Sequence, residues 1–292
     1  MNRIGVNPIV WSNDDLPELG GQTPVEVCLA EAAAAGYTGI ELGHKFPRDP
    51  LRLRSMLDDH GLALISGWYG TRLLERSVEA ELAALEAHRN LLVALGADVM
   101  IVAEVGGAVH GDRRASVSSR PAMHPAALTK LAEDLSRVGA HLAERGLTLV
   151  YHHHAGTVIE TEDEIDRLLS SSSPHVKLLL DTGHLTFAGG DLARVVQRWG
   201  DRVAHVHLKD VRADALARCR AASSSFLDAV VDGVFTVPGD GAIDFTPVFE
   251  GLARDYCGWW VVEADQDPER APPAKFAKMG HTFVSERLAE VK

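Results

Sequence analysis

Short apolar runs rich in β-branched residues alternate with longer amphipathic stretches along the chain. Eight runs read as strands: residues 3–11, 39–43, 62–68, 99–104, 147–152, 176–181, 203–208 and 259–263. Several are nearly continuous in their hydrophobicity rather than alternating, the pattern of parallel strands covered on both faces. Between them, residues 24–35, 75–95 and 125–145 carry helical spacing. Each of these stops at a glycine (Gly36, Gly96 and Gly146), where a left-handed helix terminus is wanted. Residues 161–170 open with Thr161 and have Glu164 three positions on, the spacing of a capping box. Residues 191–199 and 245–255 supply further helices. Strands each followed by a helix, in this number, predict an α/β fold: one (β/α)8 TIM barrel spanning residues 1–292. A doubly wound open sheet is the competing fold, but no GxGxxG follows the first strand to support its dinucleotide-binding form.

Polar residues collect where the apolar strands end. Glu41 and Glu104 end two strands, and His152, His153 and His154 end another. Asp181 is followed by His184 in DTGH, and His205, His207, Lys209 and Asp210 lie in HVHLKD. Glu263 and Asp265 lie in EADQD. A buried carboxylate or imidazole must be paired, hydrogen-bonded or metal-bound, and a single one is most simply a satisfied core residue. So many strands ending this way point to a shared site, because the carboxyl ends of barrel strands meet at one mouth. Mixed imidazole and carboxylate ligands suit a divalent ion such as Mn²⁺, Co²⁺ or Zn²⁺, and the absence of thiols argues against structural zinc.

Strand alternation refines the reading. His205, His207 and Lys209 point the same way on an extended strand, with His207 nearest its end and therefore the expected ligand. His152 and His154 share a face, which leaves His153 a structural residue. Gly183 permits a turn that would bring His184 back to the mouth as a substrate contact or acid/base group. Two long loops, 105–123 and 210–244, follow strand ends and read as lids or binding loops. The Gly106–Gly107 pair and the VPGDG stretch at 237–241 lack the P-loop pattern and read as turns rather than anion cradles. Arg212, Arg218 and Arg220 line a loop or form a solvated face, and His60, His88 and His141 fall in helical segments as surface residues.

Composition narrows the function classes. The chain of 292 residues is 46% hydrophobic and 24% charged, enough apolar content for a large core and too much for disorder. With 29 Lys and Arg against 41 Asp and Glu, the formal charge of -12 argues against a nucleic-acid or anionic-membrane partner. Cys28, Cys219 and Cys257 are too scattered for a disulfide framework and fit reduced thiols in the cytoplasm. No apolar run is long enough to span a membrane, and the first residues lack a signal-peptide core. Neither GxSxG nor HExxH occurs, which leaves serine-hydrolase and zincin readings without support.

Several segments carry a family resemblance: LVYHHHAGT, DTGH, HVHLKD, GVFTVPGDGAIDF and GWWVVEADQDP, with VNPIVWSNDDLPELGG and GIELGHKFP near the start. Together they resemble the inosose dehydratases (2-keto-myo-inositol dehydratases) of inositol catabolism, within the xylose-isomerase-like TIM barrels. DTGH and HVHLKD are shared by that broad superfamily, whereas HHHAGT, FTVPGDG and EADQDP are more specific. The resemblance implies a Mn²⁺- or Co²⁺-dependent hydro-lyase that converts scyllo-inosose, a small polyol ketone, to a trihydroxycyclohexane-1,2-dione. It also implies a glutathione requirement, which rests on the resemblance alone. The superfamily's Glu, Asp, His and Glu ligands at the ends of strands five to eight fall here on His152, Asp181, His207 and Glu263. The first departs from the pattern, being His rather than Glu, and His154 is the alternative strand-five ligand.

Dehydration of such a ketone needs a base for the α-proton, stabilisation of the enediolate, and an acid for the departing β-hydroxyl. His154, His184, Lys209 and Glu104 form the candidate pool, with His152 beside them. An isomerase or epimerase would share the enediolate step without forming a dione. A non-catalytic metal- or sugar-binding module would bind without turnover, and an apurinic-site endonuclease would need a basic surface. Exposed barrel helices offer surfaces for a homo-oligomer, with no interface marked in the sequence.

Overall fold

Strands buried on both faces must find partners on both edges, and in the computed structural model they do so by closing into a barrel. The structure describes residues 3–252 and 255–291. The barrel strands are β1 (Arg3–Val6), β2 (Gly39–Leu42), β3 (Ala63–Thr71), β4 (Val99–Glu104), β5 (Thr148–His152), β6 (Val176–Asp181), β7 (Val203–Leu208) and β8 (Trp259–Val262). Each pairs in parallel with its neighbours in chain order, and β8 closes onto β1.

The helices are α1 (Val25–Ala35), α2 (Pro50–Asp58), α3 (Val78–Ala84), α4 (Glu86–Leu95), α5 (Pro125–Ala143), α6 (Glu162–Ser171), α7 (Thr182–Phe187), α8 (Leu192–Trp199), α9 (Ala213–Ala222), α10 (Phe226–Val231), α11 (Thr246–Leu252) and α12 (Pro273–Glu290). Alternation sorts the strand side chains. Met100, Val102, Leu149, Tyr151, Leu178, Leu180, Val206 and Leu208 join the core under the outer helices. Val99, Ile101, Val150 and Leu179 form a separate apolar plug inside the barrel. Two positions beyond the plug residues Val150 and Leu179 stand His152 and Asp181, so the polar layer rests directly on an apolar one.

Several boundaries differ from the sequence expectation for local reasons. β1 stops at Val6 because Pro8 has no N–H to donate, and Asn7 Oδ1 accepts the Ile9 N–H at 2.9 Å to start a short 3-10 turn. The helix expected over 75–95 divides at Leu85 into α3 and α4, with Ser77 capping the first. Helix α2 was not expected, although Asp49 caps it and Pro50 occupies its first turn. The helix expected over 245–255 is observed at Thr246–Leu252, and its residues 253 and 254 lie outside the described residues. Gly36, Gly96 and Gly146 all adopt positive φ, and the Thr161–Glu164 capping box forms in full.

The long loop after β7 folds into a cap with a core of its own. Asp210–Val211 pairs antiparallel with Phe235–Thr236, and α9 and α10 lie between them, separated where Ser223 turns left-handed with φ 51. Their apolar faces share a second core with Leu16, Val117, Ala155 and Phe187 from other loops and α7. The glycine-rich stretches cradle the chain's own carboxylates. Asp210 accepts the N–H groups of Val211 at 2.8 Å, Gly239 at 3.0 Å, and Gly241 and Ile243 at 2.9 Å. Any Cβ at Gly241 would collide with that carboxylate. Gly106 similarly donates its N–H to Glu104 Oε1 at 2.9 Å. Among the described residues no helix is long and apolar enough to cross a membrane.

Asp210→Ala would leave four backbone N–H groups without their acceptor. We expect a loss of about 2–4 kcal/mol, read as a lower urea midpoint.

Candidate metal centre and cavity

Four buried atoms without hydrogen-bond partners meet at the carboxyl ends of β5 to β8: His152 Nε2, Asp181 Oδ2, His207 Nδ1 and Glu263 Oε2. His152 Nε2 lies 3.4 Å from Asp181 Oδ2, and His207 Nδ1 lies 3.5 Å from the same oxygen. His207 Nδ1 and Glu263 Oε2 are in direct contact. Strand register makes this meeting unavoidable, because Asp181 and His207 are partners across β6 and β7. The other Asp181 oxygen accepts the His184 N–H at 2.7 Å and caps α7.

Glu41 fixes the protonation of the cluster from behind. A register shift between Ile40 and Glu41 sets the Glu41 side chain opposite Ser66, whose hydroxyl donates to it at 2.6 Å. Asn7 Nδ2 donates at 2.7 Å, His205 Nε2 at 2.8 Å and His207 Nε2 at 3.2 Å. Burial pushes the Glu41 carboxyl up, but the His207 and His205 imidazoles hold it well below its ordinary range. Burial draws the His207 imidazole down, but Glu263 and Glu41 raise it well above its ordinary value, so without an ion Nδ1 holds a proton against the Asp181 and Glu263 oxygens. A bound cation would take the place of that proton, and a carboxylate behind a ligating imidazole is the common support of metal sites. The donor set therefore fits a divalent ion of the borderline class.

A buried ammonium occupies the other side. Lys209 is fully buried, with Nζ 2.6 Å from Asp265, 2.8 Å from Glu263 and 3.5 Å from Asp181. Burial draws its pKa down, but Asp181, Asp265 and Glu263 raise it well above the ordinary lysine value. Gly183 makes room for it: a Cβ there would lie 2.5 Å from the Lys209 stem. Gly183 is thus a close-approach glycine within α7, not the expected sharp turn. His184 Nε2 accepts from the Lys209 ammonium at 3.0 Å, and its Nδ1 lies 3.3 Å from the Ala155 nitrogen. The His154 ring lies against His184 at 3.8 Å between centroids, tilted by 43°, and His154 Nδ1 donates to the Ala155 carbonyl at 2.8 Å. Burial keeps both imidazoles neutral, with pKa well below the ordinary value.

The structure brings together His152, His154, Asp181, His184, His207, Lys209 and Glu263 of the sequence candidates. On strand five, His152 Nε2 faces Asp181, while His154 lies beside His184. His153 accepts the Asp181 N–H at 3.2 Å, a structural position. Glu104 does not join the group. Its oxygens accept the Thr71 hydroxyl at 2.9 Å and the backbone N–H groups of Leu73 at 2.8 Å and Gly106 at 2.9 Å, which ties β3 to β4.

A cavity of about 280 Å³ opens over the cluster. Sequence reasoning missed much of its wall: Asp14 and Asp15, His44, Trp68, His88 and His110. His88, expected on the surface, turns its ring to the cavity beside Gly67. Trp68 stays 40% exposed at the rim. The available signals were position alone: Asp14 and Asp15 follow β1, and His110 lies in the long loop after β4.

A model of xylose isomerase-like TIM barrels matches residues 29–282. The chain belongs to the xylose isomerase-like TIM barrel family. Within this family it is 47% identical to a rhizopine catabolism protein, MocC, of Rhizobium meliloti, over 98% of this chain and 89% of that one. It is 44% identical to an inosose dehydratase of Geobacillus thermodenitrificans, over 97% of this chain and 96% of the relative. The fold also matches the solved structure of a probable 3-DHS dehydratase, AsbF, from Bacillus anthracis. That match has a TM-score of 0.72 and 14% identity, over 97% of this chain and 98% of the other. In this family's barrel the cluster occupies the mouth that strand ends build, on the face where the loops are long.

Asp181→Ala and Glu263→Ala should each abolish retention of a divalent ion through gel filtration. Glu41→Gln should weaken binding about 10–100-fold, read by competition with a chromophoric chelator.

Proposed function

We propose that the chain is a hydro-lyase that removes water from scyllo-inosose to give 3D-(3,5/4)-trihydroxycyclohexane-1,2-dione. End-to-end similarity to an inosose dehydratase, at 44% identity, carries this reading. Site geometry supports it through a set of donors suited to an α-hydroxyketone. His152, Asp181, His207 and Glu263 would hold the ion, which we take to be Mn²⁺ or Co²⁺. The ion supplies Lewis-acid stabilisation of negative charge on the ketone and adjacent hydroxyl oxygens.

The chain's own groups account for proton transfer and placement. His154 spends its Nδ1 proton on the Ala155 carbonyl, which leaves the Nε2 lone pair to take the α-proton. Its neutral state is the one a base needs. Lys209 balances Asp265 and Glu263, so the cluster carries fewer uncompensated negative charges when an enediolate forms. His184 braces both groups, touching Lys209 with one edge and packing tilted against His154. Glu104 has no part in the chemistry.

The reading places the enzyme in the reducing cytoplasm, which its three free thiols fit, acting on a small polyol ketone, with exposed barrel helices open to a homo-oligomer. The glutathione requirement comes from the family resemblance, and the same assay run with and without glutathione reads it. Similarity to the rhizopine catabolism protein supports a second reading, in which the substrate comes from rhizopine catabolism.

Mn²⁺-loaded protein incubated with scyllo-inosose should give a product lighter by one water in the mass spectrum, and chelation should abolish it. An unchanged mass with a new isomer would replace this reading with an epimerase or isomerase. Absence of turnover with every divalent ion would leave a binding module. His154→Gln should lower kcat at least about 100-fold while the ion is retained.

A further inference from the structure

The cavity wall beside His154 holds a carboxylate and an imidazole that the chemistry above leaves unused. Asp15 lies in the loop after β1, and His110 lies in the loop after β4; both line the cavity. Asp15 Oδ1 and His110 Nε2 are 3.9 Å apart, beyond hydrogen-bond length. A hydroxyl oxygen about 2.8 Å from each would subtend roughly 90° between them, close to the angle between a hydroxyl's O–H and its lone pairs. His110 Nδ1 is buried without a hydrogen-bond partner. The gap is thus shaped for one hydroxyl group.

Both residues are held by contacts that serve no evident purpose except placement. Asn13 Oδ1 accepts the N–H groups of Asp15 at 2.9 Å and Leu16 at 2.7 Å, and Leu16 anchors the loop in the cap core. Lys45 donates to the Gly21 carbonyl at 2.8 Å and secures the far end of the same loop. On the other side, the Val109 N–H donates to the Gly156 carbonyl at 2.8 Å. Gly156 has φ 79, and a Cβ there would lie 2.9 Å from the His110 nitrogen, so only glycine lets the two loops approach this closely. The His110 ring then rests against His154 at 5.1 Å between centroids. A proton donor built on these loops stands beside the base at the cavity wall.

We propose that Asp15 and His110 act as a pair that binds the departing β-hydroxyl and gives it a proton. The inference rests on the dehydration reading. In the step, a proton held on one member of the pair passes to the β-hydroxyl oxygen. The C–O bond breaks and its electrons leave with the water. The electron pair of the enediolate forms the new C=C bond. The proton taken by His154 goes to solvent, and solvent returns one to the pair, so no redox partner is needed. The charged and titratable groups around the pair are Asp14, Asp265, Lys209 and His154. Desolvation pushes the Asp15 carboxyl up to about 6, against the pull of His110, and Asp265 and Asp14 add to the push. A group in that range can both hold and release a proton near neutrality.

The test separates loss of the β-hydroxyl from abstraction of the α-proton. Metal-loaded wild type, Asp15→Asn and His110→Gln are each given scyllo-inosose in D2O. Dehydration is followed by mass spectrometry and α-hydrogen exchange by NMR. The pair predicts that both variants keep their metal, lose at least about 100-fold in dehydration, and exchange the α-hydrogen at the wild-type turnover rate or faster. Dehydration within about threefold of wild type in both variants would overturn the inference alone. Loss of exchange together with dehydration, with metal retained, would also overturn it and move the pair to substrate binding or base chemistry. Wild type that never dehydrates would overturn the functional reading and this inference with it. The substitutions lie on separate loops, so each reads the pair independently.

Discussion

The Glu41 carboxylate fixes a proton on two imidazoles, and the mouth of the barrel is organised around that commitment. With Nε2 of His207 and of His205 both turned to Glu41, His207 Nδ1 is left to face Asp181 and Glu263. Both carboxylates are buried, and a cation, either a proton on Nδ1 or a metal ion, has to stand between them and the ring. The fold answers with charge from two sides. Lys209 neutralises from within the protein, and the remaining convergence of lone pairs is a place for a divalent ion. The apolar plug of Val99, Ile101, Val150 and Leu179 beneath keeps this polar layer at the mouth.

The parts of this arrangement carried by strands were legible from the residues. A strand has one period, so Asp181, His207 and Glu263 following apolar runs could be placed at a common end, and His152 shares a face with His154. The same rule misled at Glu104, which ends its strand in the expected way. What decided its role was a local bend: the Thr71 hydroxyl and the Leu73 and Gly106 N–H groups consume its oxygens. Loop positions have no such period. Asp15, His110 and His88 reach the cavity through an Asx turn, a left-handed glycine contact and a helix face. No pattern in a single sequence separates these from solvent-exposed residues.

The glycine-rich segments make a related point. Gly106 beside Glu104, and Gly239 with Gly241 around Asp210, have the local form of anion-binding loops, and each has found its anion in its own chain. Backbone N–H groups stabilise an internal carboxylate as well as an external phosphate. The motif alone therefore identifies a negative partner, and only the fold says where that partner comes from.

The cap has one further consequence. Its buried core and the barrel's buried core share no residue, though Ile243 packs against both. Energetic effects of substitutions in such separate clusters tend to add rather than interact. The cap also abuts the loops that bear Asp15 and His110, through Leu16 and Val117. Lineages can therefore vary the cap core, and through it the seating of the Asp15 and His110 loops that line the cavity, with little effect on the barrel core. Divergence in substrate within one scaffold then becomes a matter of repainting one wall.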